Sequence, residues 1–270
     1  MIYFDMPEAM YRARGVHFSS LKQMEFSPQK YKHAVEVPSD SDVFRLGRAG
    51  HCASLEPGKY DSRFVVFSGR KQGKAWDQFE AEALAGGRDV LTEKEQAAAW
   101  GMANAMRSNE KVAEYLKGKV EVSCFVDHLP GIGELVHEAA VRLDVDCENG
   151  AIADLKGVKD ASPDAFGRAA ANYKWHAQAA FYHDVWLTET GEDRPFVFVA
   201  VEKTAPYACA VYVVPDSAIC AGRDIYQRWL ERLAQCKRTG EWPGYDAVSW
   251  LKMPKWSGAA GEGFEENDDE

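Results

Sequence analysis

Two β-compatible runs, residues 135–146 and 151–156, are joined by only four residues, Cys147-Glu148-Asn149-Gly150, and this joint constrains the chain more than any other feature. A loop so short, polar and glycine-terminated reads as a hairpin, so the two runs must lie side by side as antiparallel strands. Side chains alternate along a strand. Asp154 and Lys156 therefore share one face, and Leu155 points to the other. On the first strand Asp144 and Asp146 also share a face, and the hairpin can set one of them beside Asp154 and Lys156.

Two carboxylates and an ammonium on one face suit phosphodiester hydrolysis. Hard oxygen ligands hold Mg²⁺, or Mn²⁺ in its place, and such an ion keeps waters and meets a phosphate. It polarises the phosphoryl oxygen and lowers the pKa of a bound water. Lys156 would orient or deprotonate that water, or offset charge in the transition state. The backbone carbonyl of Leu155 is a candidate further ligand. The same three side chains also fit a plain ion pair at a strand end, worth well under about 1 kcal/mol. Asp-x-Lys alone does not separate the two readings.

Around the hairpin, the pattern is mixed α/β, a mixed sheet flanked by helices with a helical extension before it. Ser20 and Gln23 have capping-box spacing, and Ser27-Pro28 starts another helix. Residues 43–55 read as a helix stopped by Glu56-Pro57-Gly58, and residues 75–85 as another, broken at Gly86-Gly87. A long helix is predicted over 92–116, a strand over 120–126, and a turn at Leu129-Pro130-Gly131-Ile132-Gly133. Ser162-Pro163-Asp164 opens a helix predicted to run to about Thr188. Strands at 195–201 and 208–214 and a helix at 216–238 complete the pattern. We expect one domain over 1–255, with a helical part at about 15–118, a catalytic core at about 119–240, and an acidic, disordered tail at 256–270.

Charge and cysteines exclude several classes. The net charge of -10 argues against a nucleic-acid coat protein, but six acids and no bases lie in the last ten residues, and local field decides phosphate binding. No apolar run reaches eighteen residues, so no membrane span is expected, and residues 1–11 do not look like a secretory signal. A cytoplasmic location is the expectation. None of the six cysteines forms a C-x-x-C pair, so they read as reduced core residues.

Several ordered motifs resemble the exodeoxyribonuclease VIII (RecE) family. They are Ser19-Ser20-Leu21-Lys22 with Ser27-Pro28-Gln29-Lys30-Tyr31, and Leu46-Gly47-Arg48-Ala49-Gly50-His51. Then come Arg142-Leu143-Asp144, Asp154-Leu155-Lys156, the run from Asp160 to Phe166, and the run from Tyr173 to Tyr182. Last are Phe198-Val199-Ala200-Val201-Glu202-Lys203 and Pro206-Tyr207. Together they span roughly residues 15–240. The resemblance implies a restriction-endonuclease-like (PDDEXK) fold and a Mg²⁺-dependent exonuclease that degrades one strand of linear duplex DNA from its 5′ end. It implies a ring-shaped homo-oligomer and a single-strand annealing partner. It selects Asp144 over Asp146, makes His51 a metal ligand with Asp144, Asp154 and Leu155, and makes Gln178 and Tyr182, four apart on one helix face, substrate-binding residues. Leu143 stands where the family has Pro, and Gly157 where it has Thr.

Other readings stay open at this stage. One is a RecB-like single-strand or end-trimming nuclease, whose iron–sulfur members need a cysteine trio after the last helix. Cys236 stands alone there, so no cluster is expected. Another is a DNA-end-binding module that kept the fold without catalysis.

Overall fold

The computed structural model describes residues 1–37, 42–129, 131–245, 248 and 251. The acidic segment expected to be disordered therefore lies outside the described residues, as does Pro130 of the predicted turn. The chain opens with β1 (Ile2–Tyr3), α1 (Glu8–Arg12), β2 (Val16–His17), α2 (Phe18–Leu21), a 3-10 turn at Lys22–Glu25, α3 (Pro28–Glu36) and α4 (Asp42–Leu55). Next come α5 (Tyr60–Arg63), β3 (Phe64–Phe67), α6 (Lys74–Ala85), β4 (Asp89–Thr92), α7 (Glu93–Ser108) and α8 (Glu110–Ala113). The core follows with β5 (Gly118–Leu129), β6 (Gly133–Cys147), β7 (Ile152–Val158), α9 (Pro163–Asn172), α10 (Trp175–Thr190), β8 (Phe196–Glu202), β9 (Cys209–Val213) and α11 (Asp216–Thr239).

The main sheet runs β1-β5-β6-β7-β8-β9, with β2 pairing β6 in parallel. It is mixed: β7 and β8 are parallel, while β5–β6, β6–β7 and β8–β9 are antiparallel. Helices α10 and α11 cover one face through Phe181, Val185, Tyr226, Trp229 and Leu230. The other face buries Ala153, Leu155, Val197 and Val199 under Met102 and Met106 of α7. α10 and α11 cross so closely that a Cβ on Gly222 would lie 2.2 Å from the His176 carbonyl oxygen.

Local differences from the sequence reading have identifiable causes. Ser20 is not an N-cap: its hydroxyl donates to the His17 carbonyl from inside α2. Ser27 does cap α3, accepting from Lys30 N–H. The predicted helix over 92–116 starts as expected at Thr92, with Glu95 completing the capping box, but it stops at Ser108. Asn109 then caps a new one-turn helix, its side chain accepting from Val112 N–H. The predicted helix over 162–188 is two helices, because Lys174 adopts the left-handed conformation (φ 59°) between them. The small parallel pair β3–β4 in the extension was not anticipated. Of the six cysteines, Cys52, Cys124, Cys147 and Cys236 are buried, Cys209 is half-buried, and Cys220 is exposed on α11, contrary to a core role for all.

One feature of the sheet positions the candidate site. Val141 and Leu143 of β6 pack in the core beneath α10, whereas Val145 and Cys147, on nominally the same side of the strand, pack in the core beneath α7. β5 changes cores in the same place, between Val120 and Val122. The changeover falls at Asp144 and at Glu121, which the register Val120↔Val145 and Val122↔Leu143 sets across from it. Glu121 has φ 53°, a left-handed conformation that costs a non-glycine residue on the order of 1 kcal/mol or more.

Candidate active site

β6 and β7 are paired only at Val145↔Ala153 and Asp146↔Ile152. β7 then follows β8 out to Val158, while β6 stays with β5 and is met by β2 at Ala139 and Ala140. The two central strands thus open into a wedge immediately beyond their hairpin. Leu155 N–H, released from the ladder, donates instead to Asp144 Oδ2 at 2.7 Å. A residue in an extended strand turns its N–H and C=O to the same side, so the Leu155 carbonyl also faces the wedge. The Leu155 side chain is buried in the opposite core.

Asp154 and Lys156 lie on the other side of the same strand. The Asp154 carboxylate is 3% exposed and forms an ion pair with the Lys156 ammonium. Gln178, on α10, bridges them: its amide donates to Asp154 Oδ1 at 2.9 Å, and its Oε1 accepts from Lys156 Nζ at 3.0 Å. Tyr182 sits one turn further along α10, its phenol against the Gln178 side chain. Burial raises the Asp154 pKa, with the Asp144 charge adding to the rise and the Lys156 ammonium opposing it. A carboxylate kept so dry needs a cation, and here the Lys156 ammonium meets Asp154 Oδ2 directly.

His51 reaches the wedge from α4. Its Nε2 lies 2.7 Å from Asp144 Oδ2, and its Nδ1 lies 3.6 Å from Glu121 Oε1. Burial disfavours the imidazolium, but the Asp144 carboxylate and then Glu121 override it and carry the His51 pKa well above its ordinary value. Burial likewise disfavours the Asp144 anion, and His51, Lys156 and the Leu155 N–H together hold its pKa low. Asp146, the rival acid in the sequence, is paired with Arg194 instead. Leu143 is buried in the core. Gly157 lies under the Lys203 side chain, where a Cβ would come within 3.1 Å of Cε.

Glu121 escaped the sequence reading. Ligand atoms of His51, Glu121 and Asp144 all lie within 4.8 Å of one another, a grouping able to hold a metal ion. Two carboxylates directly across a strand pair repel unless a cation separates them. Its place opposite Asp144 depends on the β5–β6 register, which a bulge between Val126 and His128 hides from inspection of the chain.

The residues present fit a divalent cation. Two carboxylates and an imidazole converge and the Leu155 carbonyl faces them, while Asp154, outside this grouping, is held by Lys156 and Gln178. Oxygen donors with one imidazole suit Mg²⁺ or Mn²⁺ rather than a thiolate-preferring metal. His51, Glu121, Leu155 and Gly157 also line a cleft of about 790 Å³ whose walls carry Arg48, Arg63 and Arg88. If Glu121 belongs to the cation site, Glu121→Gln weakens Mn²⁺ binding measured by calorimetry by about tenfold or more. An unchanged Mn²⁺ affinity would leave Glu121 as a partner of His51 and Arg142, 3.6 and 3.9 Å away, and not of the metal.

A mixed sheet whose central strands part to present an acid on one and Asp-x-Lys on the next defines a PDDEXK-like domain. The chain belongs to the family described as PDDEXK-like domain of unknown function (DUF3799), whose model matches residues 17–251. The fold is similar to the solved structure of a candidate exonuclease from Eubacterium rectale, with a TM-score of 0.64 and 15% identity, over 96% of this chain and 100% of that one. At that identity the likeness speaks to fold. No curated protein is significantly similar in sequence to this chain. No helix among the described residues is long and apolar enough to cross a membrane.

Proposed function

We propose that this protein is a metal-dependent exodeoxyribonuclease that degrades one strand of linear duplex DNA from the 5′ end. The observation that carries the proposal is the buried Asp154–Lys156 pair, bridged by Gln178, lying across the sheet wedge from His51 and Asp144. Mg²⁺ held by His51, Asp144, Asp154 and the Leu155 carbonyl would polarise the scissile phosphate and acidify a water. The chain's own groups supply the rest. Gln178 pins the Lys156 ammonium where negative charge grows on the phosphoryl oxygens, so it needs no reorganisation during the reaction. Tyr182 buttresses Gln178, so both act on the substrate through Lys156 and Asp154. The cleft on the Leu155 side of the strand carries Arg48 and Arg63, paired with Asp89 and Glu56, beside Arg88, so its local charge is mixed despite the chain's net negative charge.

The exodeoxyribonuclease VIII resemblance supports the finer parts of the reading. These are 5′-to-3′ polarity, 3′ single-stranded products passed to a single-strand annealing protein, and work as a ring-shaped homo-oligomer on duplex ends in a bacterial or phage-infected cytoplasm. The test is cleavage of linear duplex labelled at the 5′ or 3′ end, with Mg²⁺ or with EDTA. Prompt Mg²⁺-dependent loss of the 5′ label with gradual shortening of the 3′-labelled strand is expected. Binding of ends with no metal-dependent cutting of either strand would instead favour a non-catalytic end-binding module.

A further inference from the structure

The junction between α9 and α10 carries more than the change of helix direction requires. Trp175 opens α10 with its ring 5.5 Å from Lys156 Nζ and its other contacts on Phe166 and Phe198. Tyr173 stacks on Trp175, with centroids 5.4 Å apart and planes 27° apart, yet it is 60% exposed. One aromatic face is therefore turned to solvent two ring steps from the candidate catalytic lysine. The left-handed Lys174 between the two rings fixes their relative placement, and its ammonium is tied to Glu25 at 3.2 Å. Glu25 belongs to the 3-10 turn that begins with Lys22.

Lys22 is the second observation. It is half-buried and has no carboxylate partner among the described residues. Burial and the nearby Lys156 ammonium both depress its pKa. The Lys174–Glu25 pair holds this turn against the α9–α10 junction, and a half-buried ammonium without a counter-ion is a cost that an arriving phosphate removes. Phe166 and Phe198 are already packed by Trp175, Tyr212 and Phe196, and the outer face of Tyr173 is left exposed.

We propose that Tyr173 and Lys22 form a subsite for one nucleotide next to the scissile phosphate, Tyr173 stacking on the base and Lys22 binding a backbone phosphate. The ligand class is a nucleic-acid strand, read without base preference, since every base offers a π-face. The proposal rests on the nuclease reading above and adds to it where the strand lies, on the Lys156 side of the wedge.

The test uses the full chain with Ca²⁺ in place of Mg²⁺ and a linear duplex carrying 2-aminopurine at one of the last three positions of a strand. Anisotropy reports affinity, and quenching of 2-aminopurine reports stacking. Tyr173→Ala is expected to relieve the quench and weaken binding by about tenfold or more, with Tyr173→Phe restoring both. Tyr173→Leu, which keeps apolar packing without a π-face, should behave as Tyr173→Ala. Lys22→Gln should weaken binding and lower the slope of log affinity against log salt by roughly one. Wild-type affinity, quench and salt slope in these variants would overturn the subsite, as would absence of DNA binding by the wild type. Mg²⁺-dependent cleavage by the wild type, measured separately, decides the nuclease reading. A cutting enzyme with unaffected variants therefore sinks the subsite alone.

Discussion

Asp154→Asn is expected to lower metal-dependent cleavage of linear duplex DNA by about 1,000-fold or more while leaving the fold about as stable as before. Asparagine fills the same space, and Gln178 can still donate to its carbonyl oxygen. What disappears is the negative charge that draws a cation into the wedge and balances Lys156. Removing one charged or donor group aimed at developing charge costs on the order of 10²–10³-fold, and here a cation ligand is lost as well. The effects on stability oppose each other. Burial raises the Asp154 pKa, so neutralising the side chain removes the cost of keeping a buried carboxylate ionised. It also leaves the Lys156 ammonium without its carboxylate, which offsets that gain. Single-turnover cleavage and thermal melting of the same preparation check both halves. Activity within about tenfold of wild type would remove Asp154 from the chemistry.

The largest expected loss of stability lies far from that chemistry. Asp184, on α10, is fully buried and accepts from Arg223 Nε and Nη2, both at 2.7 Å, and from Tyr226 Oη at 2.6 Å, with His183 Nδ1 at 3.0 Å. These contacts clamp α10, which carries Gln178, to α11. Asp184→Ala leaves the Arg223 charge and a buried phenol without a partner, at a cost of about 3–5 kcal/mol. At roughly 2–4 °C per kcal/mol in a domain of this size, the melting temperature should fall by about ten degrees. The clamp also shapes the pH dependence. Burial opposes the Asp184 anion, but Arg223, His183 and Tyr226 prevail and lower its pKa to about 2. A depressed carboxylate contributes stability that is present above its unfolded value of about 3.9 and is lost as pH falls through about 2. The His183 pKa is raised, first by its hydrogen bond to Asp184 and then, against burial, by Asp193. Its contribution is complete below about 6.5 and fades as pH rises through the higher native value. Urea unfolding of wild type and Asp184→Ala across pH 2 to 8 should show the variant with a flattened acid limb. Equal stability near pH 5, or identical acid limbs, would show that the clamp does not hold the helices.

Much of this was legible in the chain, for local reasons. The hairpin at Cys147-Glu148-Asn149-Gly150 needed only a short polar loop between two β-compatible runs. The alternation that sets Asp154 and Lys156 on one face needed only the pleat. The four-residue spacing of Gln178 and Tyr182 needed only the helical repeat. Helix starts with a chemical cap, Ser27 and Thr92, fell where the residues indicated, because capping is a contact between near neighbours. The failures were local contests as well. Asn109 competed successfully as a cap inside an apparently continuous helix, and Lys174 took a left-handed conformation that no residue preference announces.

The sequence by itself therefore determined the central hairpin, most of the core strands and helices, and which neighbouring side chains share a face, since these follow from contacts a few residues apart. Tertiary structure decided the site. The parting of β6 from β7, the exchange of cores at Asp144, the carriage of His51 across 93 residues to within 2.7 Å of that carboxylate, and the setting of Glu121 opposite it all depend on distant elements. Strand register and helix docking are fixed by the packing of the whole apolar interior, which has no local spacing to read.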